Sequence, residues 1–328
     1  MHNQITDVPG VKVGNKEIQQ ALTGCTAILF EGGAVAGVDV RGSAPGTRET
    51  DLLNPVNLVD KVHAICLSGG SAFGLDAASG VMQFLEEEEI GLDVGVAKVP
   101  IVPAAVLFDL PYGDPKIRPD KQMGYEAAKA ATTERFSTGN YGAGCGATIG
   151  KLAGPGFWMK GGLGSASFRL ENGVVIGAIV AVNPAGDVRD SSTGEILAGP
   201  YRNGKLVDSI KLLEQNYQPT IPVGSNTTIG VIAVNADLTK AEATKVAQMA
   251  QDGYARTIYP AHTLFDGDTI FAVATGGDRV PVDVIGGLAA KVMEIAIINA
   301  VKSAESIEGI IAHKDLFNKH QSGGNKWL

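Results

Sequence analysis

Much is missing from this chain of 328 residues, and each absence removes a class of function. There is no basic excess: 27 Lys and Arg stand against 35 Asp and Glu, a formal net charge of −8, with no run of positive residues. A polyanion partner needs a concentrated basic face, so nucleic acid is not expected. Cysteine is scarce and odd in number: Cys25, Cys66 and Cys145 lie in apolar or glycine-rich contexts and read as reduced thiols of a cytoplasmic protein, not as a disulfide frame. Five histidines are scattered, with no pair at metal-ligand spacing, so neither a metal nor another cofactor is expected. The N-terminus "MHNQITDVPG" lacks the basic start and apolar run of a signal peptide. Nor does any run approach the ~18 uninterrupted apolar residues that suggest a membrane span.

What is abundant is glycine, at 43 residues, within a composition 45% apolar and only 19% charged. Such a chain folds and has length enough for a large core. The glycines punctuate strands. "CTAILFEGG" and "AVAGVDVRG" read as two strands joined at Glu31-Gly32-Gly33. "VHAICLSGGSAFGLDAASGVMQFLEEEE" reads as a buried strand, a glycine turn and a helix with Leu75, Ala78, Met82 and Leu85 on one face, for which Ser71 is the expected N-cap. Asn172-Gly173 marks a hairpin within 165–183. Thr239 and Glu242 form a capping-box pattern before a helix, and residues 284–305 read as a long, mostly apolar helix. Residues 187–223 form the most polar, loop-like stretch, a linker delivering the chain to residue 224. Hairpins and helices without regular strand–helix alternation indicate an α+β layered fold.

Three stretches carry candidate chemistry. "GAGCGATIG" (142–150) imitates a dinucleotide loop, but no clear strand precedes it and no helix follows, so close-packed backbone is the favoured reading, with Cys145 a weak nucleophile candidate. "LSGGSAFG" (67–74) lacks the second glycine of a nucleophile elbow; the N–H groups of Gly69, Gly70 and Ser71 at a helix start remain candidates for an anion pocket. In "PVGSNTTIGVIAVNA" (222–236) Thr227 falls where a loop becomes an apolar strand. A threonine hydroxyl needs a base within reach, and cleavage before Thr227 would create one, an α-amine with a reference pKa of about 7.7–8.0. Asp266 and Asp268 in "HTLFDGDTIF" are paired carboxylates that shift one another's pKa or bracket a Gly267 turn, and Asn183 ends an apolar strand as a possible oxyanion donor or the start of an Asn-Pro turn.

Together these blocks, with "ITDVPGVKVGN", "RGSAPGTRETDLL", "LSGGSAFGLDAASGVM", "KGGLGSAS" and "VNPAGDV", resemble the DmpA-type aminopeptidase family, which includes β-peptidyl aminopeptidases and 6-aminohexanoate (nylon) oligomer hydrolases. The resemblance runs from about residue 5 to about residue 305. It implies an N-terminal-nucleophile-like αββα sandwich over a single domain, 1–328, made as an inactive precursor that cuts itself before a Ser or Thr. Two bonds qualify, Gly224–Ser225 and Asn226–Thr227; the second is chosen because Thr227 starts the strand and Asp266-x-Asp268 matches the nylon-oligomer branch. Chains 1–226 and 227–328 would result. By resemblance Thr227 is the nucleophile, with its own α-amine or Asp266 as proton acceptor; Asp266 and Asp268 orient and charge-balance the ammonium; Asn183 and the backbone at Gly69–Ser71 hold the oxyanion; Lys160, rather than Lys151, stands at the nucleophile; and Tyr141 lines the pocket. The implied substrates are amino-acyl amides, small peptides or linear aminohexanoate-type oligoamides, and the implied assembly is a homotetramer of processed pairs. Two alternatives stay open: an acyltransferase of the ornithine acetyltransferase type, and an uncut binding protein that keeps the scaffold.

Overall fold

A computed structural model describes residues 1–215 and 226–316. Nine strands form one hydrogen-bonded sheet: β1 (Lys12–Ile18), β2 (Thr23–Val40), β3 (Gly46–Arg48), β4 (Lys61–Ser68), β5 (Ala104–Val106), β6 (Gly162–Arg169), β7 (Val175–Asn183), β8 (Thr227–Ala236) and β9 (Thr269–Asp278). Their spatial order is β6-β7-β8-β9-β2-β4-β5-β3, with β1 beside the first half of β2. The helices are α1 (Ala77–Glu87), α2 (Lys121–Lys129), α3 (Ser209–Glu214), α4 (Lys240–Thr257) and α5 (Val282–Ser303).

Period-two alternation turns this sheet into a sandwich. Along β7, Ile176, Ala178, Val180 and Val182 face a core shared with Val246, Ala250, Met293 and Ile297 of α4 and α5. Their neighbours Val175, Ile179 and Ala181 face the opposite way, into a core with Ile28 and Phe30 of β2 and Ile65 and Leu67 of β4. On the far side of that second half, Cys25, Ala27, Leu29, Ala64 and Cys66 pack on Ala77, Ala78, Val81, Met123 and Ala127 of α1 and α2. The order of layers is therefore helix, sheet, sheet, helix: the αββα sandwich expected of the sequence.

Strand β2 links the two sheet halves, and this corrects one expectation. Glu31-Gly32-Gly33 is not a turn between two strands but a bend inside one strand of 18 residues, where pairing with β4 shifts register between Leu29 and Ala34. Gly33 sits at φ +70°, which an L side chain rarely adopts, so the chain kinks there and continues onto the second half. The Asn172-Gly173 hairpin joins β6 to β7 as expected, with Arg169 paired to Val175. The Thr239–Glu242 capping box opens α4. Helix α5 is the one helix among the described residues long and apolar enough to cross a membrane, yet 61% of its most apolar window is buried inside the fold. Ser71 does not cap α1; it begins a 3₁₀ turn, Ser71–Asp76, that runs into the helix. The stretch from 187 to 215 is not linker but short strands and α3, anchored by the buried Asp187, which accepts from Ser209 N–H and Arg189. Residues 216–223 of that expected linker lie outside the described residues.

Candidate active site

Thr227 is the first residue of β8, and the strand ends on either side of it decide its surroundings. Antiparallel pairing of β7 with β8 sets Asn183 directly opposite Thr227. On the other side β9 runs parallel to β8, and just before it a bridge between Asn226 and Asp266 carries the Asp266-Gly267-Asp268 turn to the same level. The apolar alternation of β7, β8 and β9 thus brings three polar strand ends together at one edge of the sandwich. Asn226, Thr227, Asn183, Asp266 and Asp268 are all buried.

The carbonyl between Asn226 and Thr227 is the most heavily engaged group. The Thr227 hydroxyl donates to the Asn226 carbonyl oxygen, and Gly267 N–H donates to the same oxygen at 2.9 Å. Two donors on one carbonyl withdraw electron density from its carbon and make it more electrophilic. A Cβ at position 267 would lie 2.7 Å from Thr227 Oγ1 and 2.9 Å from the Ala44 carbonyl, so only glycine lets the N–H approach without pressing on the hydroxyl.

The two carboxylates are held differently. Asp268 accepts from Thr228 N–H at 2.8 Å and from His262 N–H at 3.0 Å, and meets His262 Nδ1 at 3.0 Å. Asp266 accepts from Thr263 N–H at 2.7 Å through Oδ2, while its Oδ1 is buried without a partner among the described residues. Burial, then the nearby charge of Asp268, pushes Asp266 up to about 6, against the pull of Thr263 and Lys151. A carboxylate with a free buried oxygen and a raised pKa is suited to take a proton.

Of the two lysines considered, Lys151 meets the group at Thr227. Its Nζ donates to Asn183 Oδ1 at 2.8 Å, Asn183 O at 2.9 Å and Thr148 O at 2.8 Å, and it bears electrostatically on Asp266. Burial pushes it well below the ordinary lysine range, with Asp266 opposing and Lys160 adding to the fall. Lys160, the residue expected here, instead points its ammonium at the carbonyls of Gly144, Ala147 and Gly161. Both follow glycine-rich turns, and spacing alone does not tell which way a buried side chain turns.

Asn183 is fixed at both ends of its amide: Oδ1 accepts from Thr148 N–H at 2.9 Å and from Lys151, and Nδ2 donates to Phe108 O at 3.2 Å, leaving one N–H to offer. The oxyanion role expected of Gly69, Gly70 and Ser71 has no donor to supply it. Gly69 N–H goes to Gly24 O, Gly70 N–H to Asp109 Oδ1 at 2.7 Å, and Ser71 N–H to Leu107 O. Tyr141 is 42% exposed and hydrogen-bonds none of the site residues through its side chain. Cys145 is buried and its thiol is pushed up to about 12, chiefly by burial, which disfavours the thiolate a nucleophile needs. The Gly224–Ser225 bond lies outside the described residues.

Two residues that meet this group escaped the sequence reading: Gly267, whose N–H no side-chain motif announces, and His262 beside Asp268, whose only signal was its place four residues before Asp266.

Comparison with known proteins gives a consistent result. A model of peptidase family S58 matches residues 3–314. An uncharacterized aminopeptidase of Mycobacterium tuberculosis is 41% identical over 345 residues, covering 96% of this chain and 98% of that protein. A 6-aminohexanoate-oligomer endohydrolase of Kocuria sp. is 33% identical, covering 90% of this chain and 85% of that protein. Among solved structures, a Burkholderia sp. beta-aminopeptidase superposes with a TM-score of 0.72 at 21% identity over 99% of this chain and 96% of its own. An L-aminopeptidase D-Ala-esterase/amidase from Ochrobactrum anthropi, described as a variant of the Ntn hydrolase fold, superposes at 0.70 and 19% identity over 98% of this chain and 94% of its own.

Proposed function

The chain belongs to peptidase family S58 and is a hydrolase of amide bonds; on that premise we propose that it is made as one inactive chain, cuts itself between Asn226 and Thr227, and works through the freed Thr227. The observation that carries this reading is the Asn226 carbonyl, which accepts from both the Thr227 hydroxyl and Gly267 N–H.

In the precursor the nitrogen of Thr227 is an amide and cannot serve as base, so the proton must go elsewhere. Asp266, with its unpartnered oxygen, takes it. Thr227 Oγ1 attacks the Asn226 carbon, Gly267 N–H stabilises the oxyanion, and the C–N bond breaks with the proton passing to the departing nitrogen. Water then hydrolyses the Asn226 ester, leaving a carboxylate on Asn226 and a free Thr227. In the mature enzyme the α-amine of Thr227 receives the hydroxyl proton as Oγ1 attacks a substrate amide. The Lys151 side chain, when charged, disfavours an ammonium beside it and so keeps that amine available. Gly267 N–H and the free N–H of Asn183 Nδ2 stabilise the tetrahedral oxyanion. Asp266 and Asp268 suit substrates that carry a free amine: amino-acyl amides, short peptides or aminohexanoate-type oligoamides like those named for the Kocuria relative.

We place the enzyme in the cytoplasm, which its three free, buried thiols favour, as a homo-oligomer, a tetramer of processed pairs. A chromogenic amino-acyl amide tests the chemistry. The wild-type chain should release the chromophore without an added amine, and Thr227→Ala should release none. Release by Thr227→Ala would overturn the nucleophile, and release only with an amine acceptor would favour the acyltransferase.

A further inference from the structure

Behind the Thr227 group lies a second buried set of ionisable side chains: Lys160, Asp109 and Cys145. Lys160 is 0% exposed and its Nζ donates to Gly144 O at 3.0 Å, Ala147 O at 3.0 Å and Gly161 O at 3.1 Å. Three ammonium protons meet three carbonyls. A neutral amine has only two protons and would turn its lone pair on the third oxygen, so this cage is complete only while Lys160 is charged.

The cage is also a handle on the site. Thr148, which directly follows the caging residue Ala147, pairs in register with Lys160 in the short ladder of Thr148–Ile149 with Met159–Lys160. Its N–H donates to Asn183 Oδ1 at 2.9 Å and its carbonyl accepts from Lys151 Nζ at 2.8 Å. An unbroken run of covalent and hydrogen bonds therefore leads from Lys160 through residues 144–148 to the asparagine and the lysine beside Thr227. From the other side Asp109, buried and bonded to Gly70 N–H and the Thr23 hydroxyl, fixes the loop whose Phe108 carbonyl holds Asn183 Nδ2.

We propose that Lys160 is a positioning residue: its caged ammonium holds residues 144–148 in the shape that presents Thr148 to both Asn183 and Lys151, and loss of that charge in alkaline solution slackens the catalytic group. This rests on the reading of Thr227 given above. Of the charged and titratable groups facing Lys160, Asp109 favours the ammonium, Lys151 faces it with like charge, and Cys145 stays a neutral thiol in this range. Burial, the largest influence, brings Lys160 down to about 8, so the ammonium persists at neutral pH and is lost just above it.

The test is Lys160→Met, which keeps the chain length and removes the charge, assayed from pH 6 to 10. Wild type should show a descending limb in kcat with a midpoint near 8. Lys160→Met, once processed, should have kcat lower by about a hundredfold at pH 7, as expected of slightly misplaced catalytic groups, with KM little changed and no limb near 8. The same limb surviving at reduced height would overturn the proposal, because a merely structural lysine does not set a pH profile. Should the variant not fold, Lys160→Arg, which stays charged across this range, decides: loss of the limb near 8 supports the proposal, and an unchanged limb overturns it. A wild-type chain that stays uncut and inactive at every pH would instead refute the reading of Thr227 and this inference with it.

Discussion

A threonine hydroxyl is inert at neutral pH unless something takes its proton and something else receives the negative charge it creates. In the mechanism proposed for Thr227 those duties fall on separate residues, so they can be tested separately. Asn183→Ala removes one proposed oxyanion donor; kcat should fall by ~10²–10³, the range of about 2.7–4 kcal/mol typical of such a donor, while KM changes little. Asp266 has a folded pKa of about 6, above its unfolded value, so its ionisation works against folding: the cost is absent below the unfolded pKa, grows as pH rises through about 6 and stays constant above. In an uncut Thr227→Ala background, Asp266→Asn should therefore raise Tm at pH 7.5, and the gain should shrink at pH 4; a lower Tm at pH 7.5 would count against the raised pKa. Self-cutting should slow below pH 6 as that carboxylate takes up a proton. At this scale the sequence was readable where a side chain has a motif: Thr227 at a strand start, Asn183 at a strand end, Asp266-x-Asp268 around a glycine. It misled at Gly69–Ser71, because nothing local shows that Asp109, distant in the chain, claims Gly70 N–H. It was silent on Gly267, whose contribution is a backbone N–H.

Elements are where the sequence read best, since periodicity and capping report local physics. The capping box of α4 has both reciprocal bonds, and Thr239→Ala should cost about 1 kcal/mol in chemical denaturation, leaving self-cutting intact. The failures were at joints. Glycines at 32 and 33 look alike whether a strand turns back or bends, and only pairing with β4 and β9 on either side of the bend reveals the second case. Likewise Ser71 has the chemistry of a cap but heads a 3₁₀ turn. The turn between Asp266 and Asp268 has a sharper requirement. Gly267→Ala adds a methyl against Thr227 Oγ1 and the Ala44 carbonyl, so the chain should fold yet cut itself far more slowly, as followed by gel over hours.

For the whole molecule, the sheet order matters most. Strands β8 and β9, which would belong to chain 227–328, lie between β7 and β2, which would belong to chain 1–226, and α4 and α5 cover β7 as well. Cutting one bond leaves every ladder between them in place, so the two chains should co-elute in native size exclusion and part only in denaturant. The αββα layering was legible through resemblance rather than through pattern alone, because alternation says that a strand has two buried faces without saying what covers each. The claim on which the rest depends is the bond that is cut, and the mass of freshly purified wild-type protein under denaturing conditions tests it most directly. Two chains, one ending at Asn226 and one beginning at Thr227, are predicted, with Thr227→Ala remaining whole; a single full-length species, or a cut before Ser225, would contradict the account.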